Sequence, residues 1–245
     1  MNGNLLQRII CLLLPTSCAL CGAGAPDTLC PQCVHQFFGA AAAMPRCGCC
    51  ANPLGPGSVG ATLCGHCLAH RPAFDHTLVA SDYALPVDQL VLQLKFGHRL
   101  ALAALMARRL VAVAQHDNAW LANPPALLCP VPLGPRRLAQ RGYNQALEIA
   151  RPLGRALGIP VHARLVARVR ETAAQSSVAP EARRANIAGA FALTAPALAL
   201  VAGRHVGVVD DVMTSGGTLD DMAAVLKRHG AARVTNLVFA RTPPH

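Results

Sequence analysis

Short apolar runs alternate along most of the chain with longer segments in which apolar residues recur at helical spacing. The short runs predict strands at 77–83, 126–131, 164–169, 205–209 and 233–240. The longer segments predict helices at 87–96, 100–115 and 142–157, and a last one that ends at 229 with Gly230 as its cap. Strands that alternate with helices in this way predict an α/β fold with a parallel sheet flanked by helices.

The first 72 residues break this pattern. Residues 1–14 carry one basic residue, a six-residue apolar stretch and no small-residue cleavage site before Cys18, so they predict an amphipathic lead-in helix rather than a signal peptide. A segment rich in Cys, Pro and Gly follows, and the body of the chain starts near Phe74. We therefore expect a small N-terminal domain at 1–72 and an α/β domain at 73–245.

Ten of the eleven cysteines precede residue 70, and eight of them form four Cys-x-x-Cys knuckles. The paired positions are Cys18/Cys21, Cys30/Cys33, Cys47/Cys50 and Cys64/Cys67. Two such knuckles complete a tetrahedral S4 site, so the spacing predicts two structural Zn²⁺ ions, with consecutive knuckles sharing an ion. A cross-braced pairing of the knuckles stays open, as does the use of Cys49 instead of a neighbour. His66 and His70 are expected to be bystanders.

A disulfide framework is the main alternative to metal. Without an export signal we expect a reducing cytoplasm, where thiolates bind metal more often than they pair. Redox-active Cys-x-x-Cys motifs are a weaker alternative, because four copies cluster in one Pro- and Gly-rich segment. Cys11 and Cys129 lie in apolar runs and are expected in the core.

Composition limits the partners. The chain has 245 residues, of which 53% are hydrophobic and 4% aromatic, yet its longest charge-free apolar runs are far shorter than the roughly 20 residues that span a bilayer. We expect no membrane insertion. The net charge of +10 is concentrated in residues 136–184, with 10 Arg against 3 Glu. Arginine suits bidentate recognition of phosphate, which points to pyrophosphate, a nucleotide or nucleic acid as a partner.

The segment 205–218 carries the most specific pattern. A buried strand is followed by Asp210 and Asp211, then by a turn of small and hydroxylated residues that opens a helix. Backbone N–H groups at such a turn bind anions, and ligands of α/β sheets bind at the carboxyl ends of strands. An anion cradle beside two carboxylates suits a phosphorylated polyol. The turn lacks the Lys of a Walker A loop and the Gly-x-Gly-x-x-Gly of a dinucleotide fingerprint.

Two further segments carry candidate chemistry. Residues 129–146 repeat the arrangement of strand end, loop and helix, with Arg136, Arg137 and Arg141 close to Asn144 and Gln145. Residues 168–191 are polar and Arg-rich between apolar elements, and a long polar loop in a compact domain is commonly functional. We expect this segment to cover an anionic ligand as a lid.

The acid pair and its turn resemble the 5-phosphoribosyl-1-pyrophosphate (PRPP) loop of type I phosphoribosyltransferases. Over nearly its whole length the chain resembles the ComF/GntX family of competence-associated proteins. The shared features, beside the Cys knuckles and the acid pair, are Leu94-Lys95-Phe96, Pro130-Val131-Pro132, Arg137, Arg141 to Gln145, Arg168-x-Arg170-x-Thr172-x-x-Gln175, Arg183-x-x-Asn186 and Ala190-Phe191. Tyr143 stands where Phe is common in that family, and Ala174 where Pro is common.

The resemblance implies a type I phosphoribosyltransferase-like sheet and a site for Mg²⁺ and PRPP. Asp210 and Asp211 would bind the ribose hydroxyls, and Arg141 with its neighbours would face pyrophosphate and Mg²⁺. The 5′-phosphate would lie on Thr214, Ser215, Gly216, Gly217 and Thr218. The pyrophosphate and lid positions would be Arg137, Arg168, Arg170, Thr172, Gln175, Arg183 and Asn186.

Three functions are compatible with this pattern. The first is a phosphoribosyltransferase whose acceptor is unknown, the second a zinc-ribbon module that binds single-stranded DNA during DNA uptake, and the third a PRPP sensor without turnover. The family's association with natural transformation allows the first two to coexist. Against aromatic stacking of DNA bases, the Arg-rich block contains only Tyr143 and Phe191 as aromatic residues.

Overall fold

The structure is a computed structural model that describes residues 16–39, 44–55, 62–170 and 189–243. Its strands are β1 (Thr16–Ser17), β2 (Gly24–Ala25), β3 (His76–Asp82), β4 (Leu127–Pro130), β5 (Val166–Arg168), β6 (Phe191–Leu193), β7 (His205–Met213) and β8 (Arg233–Arg241). Its α-helices are α1 (Pro31–Val34), α2 (Gly65–Ala69), α3 (Val87–Phe96), α4 (Ala101–Ala114), α5 (Asn118–Ala122), α6 (Pro135–Arg141), α7 (Gln145–Leu157), α8 (Leu198–Val201) and α9 (Gly217–Arg228). A π-helical turn spans His35–Gly39 and a 3₁₀ turn spans Ala195–Ala197.

Four parallel strands form the central sheet in the order β3-β8-β7-β4. Val208 of β7 is in register with Cys129 of β4 and with Asn236 of β8. The long buried stretches of β7 and β8 are typical of strands covered on both faces. The predicted parallel sheet flanked by helices is confirmed. The strand predicted at 164–169 is shorter than expected and does not belong to the central sheet. It is β5, which pairs antiparallel with β6 in a separate two-stranded sheet.

Alternate residues of the sheet face two hydrophobic cores. Val208 and Val234 belong to the core that includes α9, whereas Leu128 and Leu237 belong to the core that includes α3, α4 and α7. This division follows from the period of two along a strand. Cys129 is fully buried in the first of these cores, as predicted.

The cysteine clusters pack against these cores from opposite sides. Cys18, Cys30 and Cys33 join the core of α3 and α4, and Cys47 and Cys67 join that of α9. The Cys-rich segment therefore shares its interior with the α/β body, and the division at residue 72 stays a prediction. The predicted lead-in helix and Cys11 lie outside the described residues.

The helix predicted at 142–157 begins later than expected. Gly142 has φ of +80° and ends α6, while Asn144 caps α7 by accepting hydrogen bonds from the backbone N–H groups of Ala146 and Leu147. The sequence pattern missed α6 because this helix buries no side chain and so lacks an apolar stripe. Among the described ranges, no helix has both the length and the apolar character that a membrane span requires.

Candidate functional site

Asp210 and Asp211 lie near the carboxyl end of β7, which continues past them to Met213. The strand had been predicted to end before the acids, but pairing with β8 extends through Met213 and Arg241. Asp211 is 3% exposed, and its Oδ1 accepts a hydrogen bond of 2.9 Å from the backbone N–H of Val212. Burial raises the pKa of the Asp210 carboxyl well above its usual range, and the adjacent Asp211 carboxylate raises it further.

Lys95, at the end of α3, reaches this acid pair. Its Nζ lies 2.9 Å from Oδ2 of Asp211, and its side chain is only 21% exposed. The positive charge offsets part of the repulsion between the two carboxylates and opposes the rise in the pKa of Asp210. Sequence analysis placed Lys95 in the shared Leu94-Lys95-Phe96 motif without a role, since nothing in the local pattern indicates which acid it contacts.

The turn from Thr214 to Thr218 follows β7 and opens α9. Gly216 precedes the helix with φ of +87°, and its carbonyl accepts the Asp220 N–H at 2.9 Å. A Cβ at Gly216 would lie 2.6 Å from Cε at the end of the flexible Met213 side chain, so the backbone angle favours glycine and a larger residue would displace that side chain. The structure thus places the five predicted phosphate-binding residues in a strand-to-helix turn that can present backbone N–H groups to an anion.

Arg241, at the end of β8, holds the start of this turn. Its guanidinium donates hydrogen bonds to the carbonyls of Met213, at 3.1 Å, and Thr214. Its Nε also donates to the carbonyl of Cys50 at 3.1 Å. Arg241 is 5% exposed, and burial lowers the pKa of its guanidinium. Sequence analysis missed this residue, which connects the second cysteine cluster to the turn.

Arg141 ends α6 and approaches the end of α3. Its Nη1 donates a 2.6 Å hydrogen bond to Oε1 of Gln145, and its Cζ lies 5.3 Å from the centre of the Phe96 ring. Tyr143 donates a hydrogen bond from its hydroxyl to the carbonyl of Leu94. Asn144 Nδ2 donates to the carbonyl of Val131 at 3.0 Å. The motif from Arg141 to Gln145 therefore ties α3, β4 and α7 together.

Some of the predicted pyrophosphate and lid residues lie in the described part of the chain, and the others lie outside it. Arg168 lies at the end of β5 with its Cζ 5.3 Å from the Phe191 ring centre, and Arg170 follows it. Arg137 lies on α6 and is half-buried. Thr172, Gln175, Arg183 and Asn186 lie outside the described residues.

The eight predicted metal ligands form two clusters of four. The Sγ atoms within each cluster all lie within 4.8 Å of one another. One cluster contains Cys18, Cys21, Cys30 and Cys33, and the other contains Cys47, Cys50, Cys64 and Cys67. Consecutive knuckles therefore share a cluster, and the cross-braced arrangement is excluded. Each cluster could hold one zinc ion, because four converging thiolates are a donor set that zinc prefers.

The remaining candidate ligands lie elsewhere. Cys49 Sγ is directed to the carbonyl of Phe74 at 3.6 Å, and burial raises the pKa of its thiol to about 11. His66 and His70 stack on each other with ring centres 5.8 Å apart, and neither belongs to a cluster among the described residues. Within the clusters, burial raises the pKa of the Cys33 and Cys67 thiols, and neighbouring thiols raise it further. A metal ion would offset this cost, since it stabilises thiolates.

Comparison with known proteins identifies the chain. Residues 139–244 match the phosphoribosyl transferase domain. DNA utilization protein YhgH of Salmonella typhi is 34% identical over 235 residues, which cover 94% of this chain and 99% of that protein. Competence protein F of Haemophilus influenzae is 32% identical over 218 residues, which cover 89% of this chain and 92% of that protein. The chain belongs to the ComF/GntX family.

Solved structures resemble this ComF/GntX protein only distantly. Glutamine PRPP amidotransferase from B. subtilis is 19% identical, with a TM-score of 0.35, over 55% of this chain and 25% of that one. At that TM-score the likeness supports no statement about function. Within the ComF/GntX motif that begins at Arg141, the hydroxyl of Tyr143 adds the bond to Leu94, which the commoner Phe would lack.

Proposed function

We propose that the protein binds Mg²⁺ and PRPP at the carboxyl end of β7 and transfers the phosphoribosyl group to an acceptor. The observation that carries this proposal is the acid pair followed directly by the glycine turn at the start of α9. The matched phosphoribosyl transferase domain, which includes both features, supports it. The DNA utilization and competence relatives support a role in DNA uptake, which we expect to take place in the cytoplasm.

Each part of the site would bind one part of PRPP. The N–H groups of the turn would bind the 5′-phosphate, while the carboxylates of Asp210 and Asp211 would accept hydrogen bonds from the ribose hydroxyls. Arg141 and Arg137 would face the pyrophosphate together with the lid residues. Positive charge there would stabilise the leaving pyrophosphate as the ribose carbon becomes oxocarbenium-like, and a closed lid would exclude water.

The acid pair explains why a cation would accompany the ligand. Two adjacent carboxylates, one of them buried, repel each other, and Lys95 neutralises only part of their charge. A divalent cation beside them would favour the ionised form of Asp210. Mg²⁺ bound with PRPP would supply that charge, and we expect PRPP binding to depend on it.

We propose that both cysteine clusters hold structural Zn²⁺. The mutual distances of the thiols and the burial of six of the eight cysteines support this assignment. The second cluster supports the PRPP site, because its Cys50 carbonyl accepts the hydrogen bond from Arg241.

Calorimetry with Mg²⁺ and PRPP tests the central claim. Asp210→Asn and Asp211→Asn each remove a charged acceptor while keeping size, and a hydrogen bond to a charged group contributes about 1.5–3 kcal/mol. Each substitution should therefore weaken binding about tenfold or more. Asp27→Asn is the matched control, since Asp27 is exposed and pairs with Arg108. Unchanged affinity in both site variants would refute the proposed PRPP site.

Turnover separates the enzyme from a PRPP sensor. The purified protein is incubated with Mg²⁺, PRPP and pooled bases, nucleotides and single-stranded DNA, and pyrophosphate release is measured. We expect acceptor-dependent release that Asp211→Asn abolishes. Tight PRPP binding without release in any pool would favour the sensor.

A further inference from the structure

Phe96 is the most exposed aromatic residue of this protein. The chain has six Phe, two Tyr and one Trp, all within the described ranges, and only Phe96 falls in the exposed class, at 67%. Single exposed apolar side chains are common on protein surfaces, so exposure alone carries no function. The surroundings of Phe96 distinguish it from such residues.

A cation lies over the Phe96 ring. Cζ of Arg141 is 5.3 Å from the ring centre, within the range of a cation–π interaction. The guanidinium also donates a hydrogen bond to Gln145. Both planar groups are thereby held in place, while most of the Phe96 surface stays open to solvent.

The backbone around Phe96 is also held in one conformation. Helix α3 ends at Phe96, and His98 adopts φ of +53°, a left-handed conformation that is rare for residues other than glycine. The His98 ring packs edge-on against Tyr143, whose hydroxyl donates a hydrogen bond to the carbonyl of Leu94, two residues before Phe96. The Phe96 ring is thus exposed on a fixed turn.

Basic residues are frequent in the two segments that meet at this ring. Helix α6 has Arg136, Arg137 and Arg141 and no acidic residue, and Arg99 follows the turn. Lys95, the residue before Phe96, reaches Asp211 of the acid pair. An exposed aromatic ring among arginines is the combination that binds single-stranded nucleic acid, with bases on the ring and phosphates on the cations.

We propose that Phe96 and Arg141 form a stacking site for an unpaired base of single-stranded DNA, next to the PRPP site. The proposal rests on the association with DNA proposed above and specifies a residue that contacts the strand. An open ring flanked by arginines favours a strand over a free nucleotide, because small ligands bind in concave pockets that cover most of their surface. The structure also answers the objection from sequence, since α3 adds an exposed aromatic ring to the two aromatic residues of the Arg-rich block.

The test compares two oligomers of equal length and charge. One is a thymidine oligonucleotide and the other an abasic deoxyribose-phosphate oligomer, each labelled for fluorescence anisotropy. Stacking contributes about 1–3 kcal/mol per base, so the native protein should prefer the base-containing oligomer by about fivefold or more. Phe96→Ala should abolish this preference without changing affinity for the abasic oligomer, and Phe96→Tyr should keep it.

Controls distinguish a loss of base stacking from a general loss of structure and from an effect on PRPP binding. Leu100→Ala removes a neighbouring side chain that is 46% exposed, and it should keep the preference. Calorimetry of the native protein with Mg²⁺ and PRPP reports on the neighbouring site, to which Arg141 is also assigned. If PRPP fails to bind the native protein while the base preference holds, the proposed enzyme fails and this inference stands.

Four results would overturn the inference. Three of them are the absence of any binding to the thymidine oligonucleotide, equal binding of both oligomers by the native protein, and a base preference that persists in Phe96→Ala. Competition by thymidine monophosphate at concentrations equal to those of the oligonucleotide would also overturn it, because the ligand would then be a free nucleotide. A second readout uses Phe96→Trp, whose fluorescence should be quenched by the thymidine oligonucleotide and not by the abasic one.

Discussion

The ion pair between Lys95 and Asp211 offsets part of the free-energy cost of burying the acid pair in the fold. The two side chains are 21% and 4% exposed, so water solvates neither fully. A buried carboxylate without its partner would keep the cost of desolvation and lose the attraction that offsets it. Lys95 therefore offsets part of the cost of burying the two acids.

We predict that Lys95→Met lowers the free energy of unfolding. The loss should exceed the ~0–1 kcal/mol of an exposed pair and remain below the ~3–5 kcal/mol of a fully buried one, because Lys95 is partly exposed. Chemical denaturation measures it. Adding Asp211→Asn to Lys95→Met should recover part of the loss, since no unpaired charge then remains buried.

Lys227→Met is the matched control for this prediction. Lys227 lies 2.7 Å from Asp75, and the two side chains are 29% and 37% exposed. Its substitution should cost less than that of Lys95. Equal costs would show that the pair with Asp211 contributes no more than a surface contact.

Sequence analysis could predict the residues that act within one segment, but not those that meet across the fold. The acid pair and the turn from Thr214 to Thr218 are contiguous, so their chemistry is visible in the sequence. Lys95 and Arg241 are far from that segment in the chain and reach it only through α3 and β8. The stacking partner of Arg141 was missed for the same reason.

The junction between β7 and α9 depends on one glycine. At Gly216 a side chain would meet two obstacles, namely φ of +87° and the Met213 side chain at 2.6 Å from the added Cβ. A larger residue there would therefore strain the backbone of the turn and displace the end of the Met213 side chain. Because that turn would bind the 5′-phosphate, strain there should affect ligand affinity as well as stability.

We predict that Gly216→Ala weakens binding of Mg²⁺ and PRPP at least tenfold in calorimetry. It should also destabilise the fold by more than the ~1–2 kcal/mol that a left-handed conformation costs alanine. Gly203→Ala is the matched control, because Gly203 has φ of +69° and no atom within 4 Å of the added Cβ. That variant should show the backbone cost alone and keep PRPP affinity. Similar affinities in the two variants would contradict the role assigned to the turn.

Sequence analysis predicted helices and strands correctly where their apolar residues recur at the spacing of a buried face. The strand at β8 and the helix α3 match the prediction because their apolar residues face the core along their length. The exposed helix α6 has no such stripe, and the end of β7 contains acids that a buried strand rarely carries. Both exceptions lie at the candidate site, and functional sites are where local sequence patterns most often depart from the rule.

At the scale of the whole molecule, the two cysteine clusters have different relations to the candidate site. The first packs against the core of α3 and α4. The second shares its core with α9, and its Cys50 carbonyl accepts a hydrogen bond from Arg241, which also binds the carbonyls of Met213 and Thr214. Loss of metal from the second cluster should therefore change the conformation of the turn that we propose to bind PRPP.

We predict that Cys64→Ser weakens binding of Mg²⁺ and PRPP more than Cys21→Ser does. Elemental analysis should find two equivalents of zinc in the native protein and about one in each variant, because metal binding is coupled to the folding of each cluster. The two substitutions are chemically identical, and each removes one of four ligands from a single cluster. A difference in PRPP affinity between them therefore reports the connection through Arg241 rather than a general loss of stability.

Arg241→Lys, which keeps the charge but loses the fork of donors, should reproduce the effect of Cys64→Ser with both zinc ions retained. If Cys64→Ser loses its zinc and binds PRPP as tightly as Cys21→Ser, the second cluster has no special part in positioning the turn.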